Sequence, residues 1–201
     1  MTKQDFWNIM DRCRREDTEA YRSALEAETA ALPPEELRLF RAYLGAYMNG
    51  AAECVWLDMA CKVINGYVSD DTALYFALWV IAQGNTYLIN ALKDPDSLAD
   101  LPYIPFGHAE FEMLMGVGFD EEDFEAPPSG EYGAFEEADG YAGEAGFAVP
   151  PQISAEIGAE IIYKNGGRYG GFESFEEAMA AIPQTLPRLI SRAEREGFIW
   201  K

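Results

Sequence analysis

Apolar residues fall at helical spacing along the first two-thirds of the chain. Phe6, Trp7, Ile9, Met10 and Cys13 mark a first helix that Thr2 can cap. A second spans Thr18 to about Ala31, with Tyr21, Ala24 and Leu25 inward. Pro33-Pro34 restarts the chain, and Pro34 suits a first helical turn. A stripe of Leu37, Phe40, Leu44, Tyr47 and Met48 then predicts a third helix. A fourth is expected from about Ala51 to Ile64, burying Val55, Trp56, Met59, Ala60 and Val63 and ending at Asn65-Gly66. Ser69 opens a fifth, with Leu74, Leu78, Ile81 and Ala82 on one face and an interruption at Gly84 or Asn85. Asp94-Pro95 closes the helical run, Asp96 or Ser97 begins a short turn, and Leu101 to Pro105 form an extended link.

The periodicity lapses after a short candidate helix at Glu110–Met115. From Gly116 to Pro151 acids, glycines and prolines dominate, with Phe119, Phe124, Tyr132, Phe135, Tyr141 and Phe147 scattered among them. Such composition argues for irregular chain, and its aromatics for local docking. Helical spacing then returns. Ser154 can cap a helix carrying Ile157 and Ile161, Ser174 opens another over Phe175–Ala181, and a last one covers about Pro187 to Glu196. A small β-hairpin through Tyr163–Gly171 is the alternative for the glycine-rich stretch. The expected fold is therefore mainly α: a helical bundle with an irregular acidic Gly/Pro-rich segment and a helical C-terminal tail. Residues 1–125 form the expected helical domain. Residues 126–201 form an acidic linker and a helical extension packed on it, as one structural unit.

Charge sharpens this picture. The chain has 201 residues with 15 Lys and Arg against 35 Asp and Glu, a net charge of −20. The imbalance is local: between Lys93 and Lys164 lie 17 of the acids and no Lys or Arg. Direct binding to nucleic acid is disfavoured, because phosphates need cations, and so is an anionic membrane surface. A basic protein partner is permitted. No apolar run is long enough to span a bilayer. The opening MTKQDFWNIM lacks the pattern of a secretory leader, so a cytoplasmic setting is expected.

Few chemistries fit the residues available. Cys13, Cys54 and Cys61 lack CxxC spacing, and His108 is the single histidine. Zinc binding, cysteine or serine hydrolysis and a cofactor are therefore not expected, and no catalytic residue is assigned. The glycines form no phosphate-binding motif. Two candidates remain. Ser69, Asp70 and Asp71, with Gln83 on the same helix, can form a ligand or metal site. The competing reading is a serine-capped helix with acidic first-turn residues. Asp120, Glu121, Glu122 and Asp123 lack the alternating ligands of a calcium loop and offer a partner surface instead.

The order of several short motifs resembles the DUF4240 family, a bacterial domain family without an assigned function. These motifs are Asp5-Phe6-Trp7, Leu37 with Phe40, Val55-Trp56-Leu57, Gly66 followed by Ser69-Asp70-Asp71, Tyr75-Phe76, Trp79 with Gln83-Gly84, and Pro95 to Ala99. The resemblance covers roughly residues 3–125. It implies no reaction, so no catalytic role carries over. Two positions depart from the family pattern: Asn65-Gly66-Tyr67-Val68 replaces a Gly-Gly loop, and Ala77 stands where many members have Arg.

Two functional expectations follow. One is a non-catalytic interaction protein whose acidic surface binds a basic partner, in the manner of immunity proteins that neutralise basic toxins. The other is an enzyme or ligand-binding domain with its site at Ser69-Asp70-Asp71. They are distinguished by whether those carboxylates line an enclosed pocket or cap a helix in open solvent.

Overall fold

Helices and short 3-10 turns, and no strand, make up the regular structure of residues 1–52, 54–118 and 149–200, which the computed structural model describes. The chain divides into two units, Met1–Gly50 with Met113–Gly158, and Ala51–Glu112 with Ala159–Lys201.

The first unit contains α1 (Lys3–Cys13), α2 (Thr18–Ala30) and α3 (Pro34–Ala51, shared at its end with the second unit). It also holds a 3-10 turn at Glu112–Gly116, where the sequence suggests a short helix, and most of α7 (Pro151–Glu160). Thr2 caps α1 through a reciprocal box with Asp5. The core is aromatic: the Phe6 ring lies 5.0 Å from Trp7, 5.2 Å from Phe40 and 5.8 Å from Tyr47. Polar tips that enter this core are paired. Trp7 Nε1 donates to Tyr47 Oη at 2.8 Å, and Tyr21 Oη donates to the Met10 carbonyl at 2.8 Å. Tyr43 Oη donates to Glu156 at 3.2 Å, fixing α7 to α3. Ser154 lies inside α7 rather than at its cap. Pro151 takes the first turn, where its missing N–H costs nothing.

The second unit is arranged around α4 (Val55–Asn65), which packs against α5 (Asp70–Ala82) and α6 (Asn85–Lys93). It also meets a 3-10 turn at Pro95–Asp100, α8 (Phe175–Ala180) and α10 (Pro187–Arg195). The one-turn α9 (Ile182–Thr185) links the last two. α4 starts later than its apolar pattern suggests. Cys54 is extended and its side chain makes no cap bond, so the Arg168 carbonyl accepts the Val55 amide at 3.1 Å. Gly66 ends α4 in the left-handed conformation, φ 83°. α5 has no single inward face: Phe76 to Ala82 are all buried, as expected for a helix apolar all round.

The glycine-rich stretch makes no hairpin. Lys164–Gly166 form a 3-10 turn, and the following residues lie on the Trp56 indole. Trp56 Nε1 donates to the Gly167 carbonyl at 3.1 Å, and the Phe172 ring sits 5.2 Å away. A Cβ on Gly170 would come within 2.2 Å of the indole, and its φ of 67° favours glycine. Trp56 is 1% exposed and Trp79 4%. Truncating a ring buried to this degree typically costs about 3–5 kcal/mol.

One buried carboxylate seats α10. Leu186 precedes this helix and cannot cap it. Asp96, 5% exposed, supplies the cap from 92 residues away. Its Oδ1 accepts the Leu189 amide at 2.9 Å and its Oδ2 accepts the Arg188 amide at 3.2 Å. Arg192 completes the join by donating to the carbonyls of Ala99 at 2.9 Å, Leu101, and Pro102 at 3.4 Å. Asp96→Ala is expected to strand the buried Leu189 amide and the part-buried Arg188 amide and to lower stability by about 1–3 kcal/mol. Urea unfolding followed by tryptophan fluorescence checks it, and an unchanged midpoint contradicts the assigned role.

Candidate functional site

Ser69 has extended backbone, φ −138° and ψ 172°, and stands at the N-cap of α5. Its Oγ accepts the Thr72 amide at 3.4 Å, while its own amide donates to Thr72 Oγ1 at 2.8 Å. This is a capping box with threonine at the third position. Asp70 and Asp71 occupy the first turn, where the helix dipole favours negative charge. All three residues are exposed. Gln83 caps the opposite end of α5 and donates to the Trp79 carbonyl at 3.0 Å. The thirteen residues of α5 separate it from Ser69, roughly 20 Å, so α5 does not bring Gln83 to the Ser-Asp-Asp turn. Asp120, Glu121, Glu122 and Asp123 lie outside the described residues.

Residues 107–112 bond to the chain on either side of the Ser-Asp-Asp turn, at Ile64, Asn65, Tyr67 and Tyr75. Asn65 is buried and pairs at two points with Ala109, accepting its amide at 2.9 Å and donating to its carbonyl at 3.3 Å. The Gly107 amide donates to Ile64 at 2.8 Å and the Phe111 amide to Tyr75 at 3.1 Å. Held in this way, the segment presents Glu110 and Glu112 to two tyrosines. Tyr67 Oη donates to Glu110 at 2.9 Å and Tyr75 Oη to Glu112 at 3.0 Å. The Tyr75 hydroxyl titrates above the usual tyrosine range, chiefly through its bond to Glu112, with desolvation, Asp71 and Glu110 adding to it. Tyr67 is raised in the same sense by Glu110. The composition singled out none of these four residues. Their signal is the pair of carboxylates two positions apart, set in a link between buried anchors.

The remaining titratable candidates are chemically quiet. His108 is exposed on the turn closed by its amide and the Pro105 carbonyl at 2.8 Å. The three cysteines are buried free thiols. Burial is the first cause that pushes Cys54 up to about 11 and Cys61 to about 12, and it raises Cys13 as well. Such groups stay protonated and unreactive near neutral pH. Among the described residues, no three His, Cys, Asp or Glu side chains stand together as metal ligands. No described helix is long and apolar enough to cross a membrane.

The class defined so far is a helical domain with an open, carboxylate-bearing helix cap. The family model described as "Protein of unknown function (DUF4240)" matches residues 1–123, and the chain belongs to that family. No curated protein and no solved structure matches the chain.

Ser69→Ala is expected to remove one acceptor of the capping box and to destabilise by about 0.5–2 kcal/mol. Thermal unfolding followed by circular dichroism measures it. A variant as stable as the parent would show that the Ser69 hydroxyl does not hold the start of α5.

Proposed function

We propose that this is a non-catalytic intracellular interaction protein that binds a basic partner through an acidic surface. The observation that carries this reading is the run between Lys93 and Lys164, with 17 carboxylates and no Lys or Arg. Opposite charge speeds encounter and sets partner choice more than it adds raw affinity. The open position of Ser69, Asp70 and Asp71 supports this reading over an enclosed ligand or metal site. The buried, protonated thiols support a role without covalent chemistry.

The test uses a partner isolated on the immobilised protein and its association rate at rising salt. Exposed charges are screened beyond about 8 Å at physiological ionic strength. The on-rate is therefore expected to fall at least about ten-fold between low and high salt, with dissociation changing less. Neutralising Asp120, Glu121, Glu122 and Asp123 to Asn or Gln reports whether that run contributes, and the melting temperature is expected to stay nearly unchanged. An association rate indifferent to salt overturns the proposal.

A further inference from the structure

In the second unit, three chain segments that carry exposed apolar side chains meet at one half-buried ring pair. Phe106 and Phe198 stack with centroids 5.4 Å apart and an interplanar angle of 26°. Gly66 and Gly107 lie against the same Phe198 ring, each so close that a Cβ would sit 3.4 Å from it. Phe198 is itself set by the end of α10, where its amide reaches back to the Ala193 carbonyl at 2.9 Å. The chain segments joined by this ring pair leave large apolar groups in solvent: Tyr67 is 48% exposed, Tyr103 52% and Ile199 78%. Glu110 holds the Tyr67 hydroxyl and Glu112 that of Tyr75, both from the segment that the Gly107 and Phe111 amides pin in place. Two neighbouring cations are engaged: the Lys62 ammonium donates to the Gly66 carbonyl at 2.9 Å, and Arg192 donates to the Leu101 and Pro102 carbonyls and to Glu196.

An apolar patch with carboxylates along one side fits a partner that is apolar and cationic at once. The tyrosines strengthen that match. Their hydroxyls are held by the glutamates, so ring and carboxylate are positioned together, and a guanidinium can stack on the ring while bonding to the carboxylate. We propose that the surface formed by Tyr67, Tyr103, Phe106, Ile199, Glu110 and Glu112 docks a basic amphipathic segment of a protein partner, apolar side chains on the aromatics and arginines on the glutamates. The proposal rests on the acidic-surface reading above and assigns it a place.

The probe is a synthetic amphipathic helical peptide with leucine on one face and arginine on the other, titrated against the full chain by fluorescence anisotropy. Two control peptides replace arginine with glutamine, or leucine with serine. Both controls are expected to bind at least about ten-fold more weakly. Glu110→Gln with Glu112→Gln is expected to weaken binding about ten-fold, and Tyr103→Ser with Ile199→Ser about five-fold. Neutralising Asp120, Glu121, Glu122 and Asp123 is expected to change it little. Amide exchange of the unaltered protein with peptide bound needs no variant, and protection is expected at residues 66–71 and 102–112. Protection elsewhere, patch variants that bind like the parent, or a serine peptide as tight as the leucine one overturns the proposal. If binding is instead lost on neutralising residues 120–123, the acidic-surface reading stands and only its placement fails. A glutamine peptide that binds as well as the arginine one overturns both.

Discussion

A buried carboxylate is tolerated only where its oxygens are satisfied, and Asp96 meets that condition with the Arg188 and Leu189 amides. The exchange is mutual. α10 begins after Leu186, which has no side-chain acceptor to offer, so its amides need a partner from elsewhere in the chain. The position of α10 in turn sets Arg192 on the carbonyls that end the Pro95–Asp100 turn, and sets Phe198 against Phe106, Gly66 and Gly107. The patch proposed as a docking surface thus depends on a cap that lies 92 residues from the helix it seats.

The same dependence recurs at Trp56. Its indole is sealed by Gly167, Gly170 and Phe172, and the amide of Val55 finds its acceptor at Arg168. Asp96 and Trp56 both lie within residues 1–123, the part that matches the family, whereas the groups that satisfy them lie beyond it. In this chain the second unit is completed by residues 159–200.

Much of the helical framework was legible because it follows from local chemistry. Thr2, Ser69 and Ser174 are caps, Gly66 and Gly84 are breaks, and Trp7 and Trp56 are core, as their spacing suggests. What could not be read there depends on contacts between distant residues. The start of α4 needs the Arg168 carbonyl, the burial of every side of α5 from Phe76 onward depends on its surroundings, and the glycines of 166–171 are shaped by an indole rather than by a strand partner. Of the candidate site, the cap at Ser69 was visible. The Tyr67–Glu110 and Tyr75–Glu112 pairs were not, because they form only once Asn65 fixes Ala109.

The account makes the residues after Gly158 part of the folding unit rather than an appendage. Amide exchange on a chain shortened after Gly158 tests this most directly, read over α4, α5 and α6. The account predicts that protection there is largely lost and that tryptophan emission shifts to the red as Trp56 meets water. Protection and emission equal to those of the full chain would contradict it.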